Sequence, residues 1–226
     1  SEDVYWLREE AEARALAEAL EGGLPWRVAG VERKAVRQRP QPPFITSTLQ
    51  QAASSQLGFS PTRTMQVAQR LYEGVDLGGG DREGLITYMR TDSQVLADKA
   101  LHEAGQVIRA QYGERYHTGP RYYTTKSRMA QEAHEAIRPT VLSRRPEELA
   151  AYLSDEERKL YSLIWRRTLA SQMADAELEK TAITISAAAE DKQATFRANG
   201  SVVTFPGFLA VSPSGTNDTV LPPVEE

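Results

Sequence analysis

The sequence has 226 residues, enough to bury a real core in one domain or two, and a net charge of only −4. It contains no cysteine, which excludes disulfides and thiolate zinc sites. No run approaches the ~18 apolar residues of a membrane span and no signal peptide is visible, so a cytoplasmic protein without a membrane partner is expected.

Residues 3–21 are predicted as an amphipathic helix with Asp3 as its cap, Leu7, Ala11, Leu16 and Leu20 on one face, and Gly22-Gly23 at its end. Trp26–Val36 reads as a strand with interleaved basic residues. Pro40, Pro42 and Pro43 break regular structure and mark a boundary. Ser47 with Gln50 predicts a capping box for a helix to about Leu57. Ser60-Pro61 restarts the chain, with serine as cap and proline at the first helical position, for a helix to about Glu73 carrying Met65, Ala68 and Tyr72 on one face. Two short helices across a tight turn resemble a helix-turn-helix.

Val75–Glu83 reads as a flexible glycine-containing loop, and Leu85–Met89 as a short apolar strand. Asp92 or Ser93 is expected to cap a helix containing Leu96, Leu101 and Ile108 that stops near Gly113. Residues 114–130 are loop-like, and Pro146 and Asp155 each begin a further helix. The last segment returns to β-structure. Thr181, Ile183, Ile185 and Ala187 alternate, and Asn199-Gly200 is predicted as a hairpin turn. Strand-bearing ends around a helical middle suggest one domain inserted into another.

Charge follows the same division. Arg27 to Arg145 holds 18 Lys and Arg against 11 Asp and Glu, whereas the remainder holds 9 against 20. A basic middle suits phosphate contact; scatter over a solvated surface is the plainer reading.

Two clusters in that middle carry chemistry. In Gly84-Leu85-Ile86-Thr87-Tyr88-Met89-Arg90-Thr91-Asp92-Ser93, an extended chain points Tyr88 and Arg90 to one side. A phenol is a weak nucleophile at neutral pH and needs a neighbouring cation or base, with charge neutralisation on the phosphate it attacks. A guanidinium can hold phosphate oxygens bidentately. The competing reading is a core tyrosine beside a surface arginine. The second cluster, Gln131-Glu132-Ala133-His134-Glu135-Ala136-Ile137-Arg138-Pro139, gathers carboxylates, an imidazole and a guanidinium. It lacks the second histidine of a zincin; near Tyr88, His134 could bind phosphate or relay a proton.

Together with Pro43-Phe44-Ile45-Thr46-Ser47-Thr48-Leu49-Gln50-Gln51-Ala52-Ala53, these two clusters resemble the type IA family, bacterial DNA topoisomerase I. The resemblance extends through Ala68–Glu73 and Leu163–Arg166 and covers nearly the whole chain. It implies an α+β fold. A helical, winged-helix-like domain of residues 44–175 would carry the catalytic tyrosine, inserted into a β-rich arch formed by 1–43 and 176–226. It implies that Tyr88 is the nucleophile, bonded to the 5′ phosphate of a cut strand, that Arg90 positions that phosphate, and that His134 orients DNA near the cut. Arg138, with Arg63 and Arg70 on the helix-turn-helix, are expected DNA contacts, and Tyr122 or Tyr123 could stack on bases.

The substrate so implied is single-stranded or negatively supercoiled DNA at the nucleoid, relaxed without ATP. The family's TOPRIM domain binds Mg²⁺ through a Glu and an Asp-x-Asp pair, and this sequence contains no Asp-x-Asp. The chain is therefore expected to carry no metal of its own, to partner the remaining topoisomerase domains, and to be inactive alone. Two alternatives stay open: a tyrosine recombinase or type IB enzyme, and a non-catalytic helix-turn-helix DNA-binding module.

Overall fold

The computed structural model describes residues 9–23, 25–124, 135–189, 192–212 and 221. These comprise α1 (Glu10–Gly22), β1 (Arg27–Gln38), α2 (Thr46–Leu57), α3 (Pro61–Glu73), β2 (Val75–Asp76), β3 (Arg82–Glu83), α4 (Asp98–Tyr112), α5 (Asp155–Gln172), β4 (Ala176–Ala189) and β5 (Lys192–Phe205). Short 3₁₀ turns lie at Glu114–Tyr116 and Gly207–Ala210. They divide into two compact units. One is formed by the described residues within Ser1–Arg37, Glu177–Phe205 and Thr216–Glu226, the other by those within Gln38–Ala176 and Pro206–Gly215.

The first unit is a three-stranded sheet in the order β1-β4-β5, with α1 packed against β5. Leu20 of α1 is buried, and its carbonyl accepts the indole N–H of Trp26 at 2.9 Å. Trp26 stacks on Phe196 at 5.3 Å between centroids. β4 and β5 pair antiparallel from Glu177↔Phe205 to Ala189↔Lys192. The Asn199-Gly200 turn expected from sequence is absent: Asn199 faces Ala182 and Gly200 faces Thr181 in the middle of β5. A dipeptide's turn preference is local, and a long run of cross-strand pairs outweighs it. The end pair of this ladder is instead Ala189↔Lys192. The proposed start of the first helix at Asp3 lies outside the described residues.

The second unit is a helical bundle in which α5 packs against α2, α3 and α4. Its core includes Leu49, Val67, Leu71, Ile108, Leu160, Ile164 and Leu169. The two large polar aromatics of α5 are buried with their polar tips satisfied. Tyr161 Oη donates to the Arg144 carbonyl at 2.9 Å and the Trp165 indole N–H donates to the Leu142 carbonyl at 2.8 Å. α5 opens with a reciprocal box, in which the Ser154 hydroxyl accepts from Glu157 N–H and the Glu157 carboxylate accepts from Ser154 N–H.

Several local expectations are corrected in this unit. Ser60 does cap α3, accepting from Arg63 N–H at 3.1 Å, with Pro61 at its first position. The buried stripe of α3, however, is Thr64, Val67, Ala68 and Leu71, which leaves Tyr72 exposed. α2 is capped at Ile45, two residues earlier than the Ser47 reading, because Thr46 is pinned by 2.9 and 2.8 Å bonds to the Thr91 and Met89 carbonyls. The Thr48 hydroxyl then accepts from Ile45 N–H at 3.0 Å. Residues 92–97 are not helical. Ser93 N–H is taken by the Thr91 hydroxyl, Val95 N–H by the Ser93 hydroxyl and Ala97 N–H by Glu135, so α4 starts at Asp98. From Pro146 the chain makes successive turns, with Glu148, Ala150 and Tyr152 N–H groups bonded three residues back, rather than a helix. The Val75–Glu83 loop is closed at its base by the β2–β3 pair.

Candidate active site

Three sequence clusters far apart in the chain meet in the second unit. Phe44 bridges Ile137 antiparallel, and Ile86 bridges Pro139. The Leu85–Met89 strand is therefore corrected to an extended segment held by single bridges. Its bonds run to both sides: Leu85 N–H to the Leu71 carbonyl at 2.8 Å, Thr87 N–H to the Arg138 carbonyl at 2.9 Å, and Thr140 N–H to the Leu85 carbonyl at 3.0 Å. Phe44, Leu85, Ile86, Met89 and Ile137 are buried, so the crossing is part of the core.

On this segment the pleat sorts the side chains. Met89 is buried, while Tyr88 and Arg90 on either side of it are exposed. Tyr88 is 41% exposed, and its ring meets that of Tyr72 on α3 edge-on, with centroids 5.4 Å apart and planes at 63°. Gly84 makes the approach of this segment to α3 possible. A Cβ there would lie 2.7 Å from the Tyr72 carbonyl oxygen.

Beside Arg90 lies an open cleft of about 660 Å³, lined by Gln50, Pro61, Thr62, Met65, Gln66, Gln69, Arg70 and Arg90. Its lining includes two guanidiniums and three carboxamides and no carboxylate, which suits an anionic, hydrogen-bonding ligand. The glutamines and Met65 were not among the sequence candidates. The sequence hid this signal, because Met65 and Tyr72, with Ala68 between them, read as one packed face of α3 until the buried stripe is known.

The other expected residues fall as follows. Arg70 lines the cleft and is tied to Glu157 at 2.9 Å and Glu156 at 3.7 Å. Arg63 pairs with Glu156 bidentately, donating from Nε and Nη2 to its two carboxylate oxygens. That bond raises Arg63 above and holds Glu156 below their ordinary pKa values. Burial pushes the Glu157 carboxyl up, but hydrogen bonds from Ser154 and Arg70 outweigh it and leave the group below its ordinary value. Arg138 faces inward, with a side chain only 13% exposed, bonded to Glu135 at 2.7 Å and to the Pro139 carbonyl at 2.8 Å. Its guanidinium locks the crossing rather than offering itself to solvent. Tyr122 is exposed, whereas Tyr123 donates to the Ser171 carbonyl at 3.0 Å. His134 lies outside the described residues.

The family profile described as DNA topoisomerase matches residues 2–226. The chain belongs to the bacterial DNA topoisomerase I family. DNA topoisomerase 1 of Xylella fastidiosa (strain Temecula1) is 49% identical over 209 residues, which cover 92% of this chain and 25% of that protein. DNA topoisomerase 1 of Rickettsia bellii is 44% identical over 99% of this chain and 28% of its own length. Full-length topoisomerase I from Thermotoga maritima superposes with a TM-score of 0.79 at 35% identity, covering 100% of this chain and 35% of that one. The chain thus spans about a quarter to a third of the topoisomerases it matches. Among the described residues no group of three His, Asp or Glu could hold a metal ion, and no helix is long and apolar enough to cross a membrane.

Proposed function

We propose that this chain supplies the nucleophile for transient cleavage of one DNA strand. The Tyr88 phenolic oxygen attacks a backbone phosphorus and the bond to the 3′ oxygen breaks. A 5′-phosphotyrosine forms, and the phenolic proton ends on the released 3′ hydroxyl. The phosphate remains a diester throughout, so the hydroxyl can attack back and reseal the strand without ATP. Passage of a second strand between the two steps relaxes negative supercoils. The observation that carries this reading is an exposed Tyr88 two residues from an exposed Arg90 that lines the cleft, on a backbone clamped from both sides.

In this scheme Arg90 neutralises the attacked phosphate, and the cleft takes an adjoining piece of single-stranded DNA, with Arg70 as a further phosphate contact. Arg63 has a weaker claim, because Glu156 already engages it, and Arg138 acts by holding the 135–140 segment against Tyr88. His134 orients the strand. The helical unit is read as the winged-helix-like domain and the sheet unit as part of the arch, working at the nucleoid in the cytoplasm. The described residues do not fit Mg²⁺, so no step here runs through it. Its site is assigned to the TOPRIM portion of the family enzyme, and the chain by itself is expected not to relax DNA. Absent groups of a preorganised site typically cost ~10²–10³ each in rate.

The test uses supercoiled DNA and end-labelled single strands, with the chain alone and joined to the portions of the family enzyme it does not span. Mg²⁺-dependent relaxation is expected only in the joined form, and Tyr88→Phe should abolish both relaxation and covalent adduct. Protein should block the new 5′ end. A blocked 3′ end would point to the type IB or recombinase chemistry. The α2–α3 pair keeps a binding-only module as the second reading; DNA function fully retained by Tyr88→Phe would favour it.

A further inference from the structure

We infer that Tyr72 is a positioning residue for Tyr88: its ring sets the side-chain angles of the nucleophile. The inference rests on the catalytic reading of Tyr88 given above.

The Tyr88 backbone has little freedom. Thr87 next to it donates its N–H to the Arg138 carbonyl and its hydroxyl to the Ala136 carbonyl at 2.7 Å, while Met89 on the other side is buried. The position of the phenolic oxygen is then set by the two torsions of the Tyr88 side chain, whose ring stands partly in solvent. Tyr72 supplies a wall for that ring at 5.4 Å and 63°, the edge-to-face arrangement aromatic rings prefer.

Burial does not account for Tyr72 being there. It is 41% exposed and lies off the buried stripe of its own helix. Its placement against Tyr88 is nevertheless tightly determined. Leu85 N–H bonds the Leu71 carbonyl, and Gly84, which tolerates no Cβ, brings the two backbones together at Tyr72 itself. An in-line attack on phosphorus needs the phenolic oxygen held near one position, and misplacement by an ångström is costly in rate. A ring wall achieves this without touching DNA.

The experiment compares wild type, Tyr72→Phe, Tyr72→Leu, Tyr72→Ala and Tyr88→Phe in the full-length family enzyme carrying this sequence. It measures single-turnover formation of the covalent adduct, single-strand affinity and melting temperature. Tyr72→Ala should slow adduct formation about two- to tenfold, the factor that corresponds to the worth of an aromatic pair. DNA affinity should stay unchanged, and Tyr72→Phe should cleave like wild type, because the ring and not its hydroxyl acts. With ¹³C-labelled tyrosine, the ring signal of Tyr88 should shift in Tyr72→Leu and Tyr72→Ala but not in Tyr72→Phe. The inference is overturned if Tyr72→Ala cleaves at the wild-type rate, if Tyr72→Phe is as slow as Tyr72→Ala, if the loss appears as weaker DNA binding, or if the Tyr88 signal does not move. Adduct formation by Tyr88→Phe would instead defeat the catalytic reading on which this one stands.

Discussion

At Tyr88 and its neighbours, single residues decide what the site can do. Gly84 is there because any side chain would drive into the Tyr72 carbonyl. Gly84→Ala should therefore destabilise the fold by about 1–3 kcal/mol through forced backbone shifts. Gly79 sits in the loop just before it, where an added Cβ would meet nothing within 4 Å, so Gly79→Ala should stay within about 0.5 kcal/mol. Urea unfolding of the two variants checks the contrast, and equal effects would mean that the approach to α3 is not constrained. Arg90 belongs to this scale as well. No described carboxylate pairs with it, whereas Arg63, Arg70 and Arg138 are each engaged by carboxylates. A basic residue in the sequence is thus a poor guide to an available cation.

Elements of the helical unit are joined by charge as well as by packing. Arg63 and Arg70 on α3 face Glu156 and Glu157 in the first turn of α5. Both carboxyls are held below their ordinary value of 4.5, so their stabilising effect is complete above about that pH and is lost as pH falls through the lowered values. Glu156→Gln and Glu157→Gln should be less stable than wild type near neutral pH. The difference should close on acidification, as followed by helix signal in denaturant melts. A gap that does not narrow as pH falls would mean the effect is packing and not charge. In the sheet unit, β5 runs straight through Asn199-Gly200. Asn199→Thr, which would damage a turn needing positive φ, should here change stability by less than about 0.5 kcal/mol. Amide exchange should show protection across 197–203 in both proteins.

For the whole molecule, net charge is a misleading average. An overall −4 conceals the basic stretch from which the cleft beside Arg90 is built. Single-stranded DNA affinity should fall as salt rises, and Arg90→Ala should reduce the slope of log affinity against log salt by about 0.7, the value for one phosphate contact on a single strand. A binding curve indifferent to salt would remove the cleft from the interface. The division into two units, each closed by segments distant in sequence, also means that truncation at either end of the chain should cost the sheet unit β1 or β5.

Much of this protein was legible in its residues alone. Ser60-Pro61 announced α3 and the alternation after Thr181 announced β4, because in these two segments the local cap and periodicity agree with the packing around them. The family resemblance was carried by the clusters around Phe44, Tyr88 and Ile137, and the profile and relatives agree with it. What needed tertiary structure was everything set by distant partners. The Glu135 carboxylate taking the Ala97 N–H, beside the Thr91 and Ser93 hydroxyls taking those of Ser93 and Val95, decided that residues 92–97 are not helical, and pairing with β4 decided that Asn199-Gly200 is strand. The burial of Val67 and Leu71 decided that Tyr72 points outward to Tyr88. Residue type and spacing by themselves specify which side chains are able to do chemistry. Which of them remain available is settled only when hydrogen bonds and core contacts from far along the chain have claimed the rest.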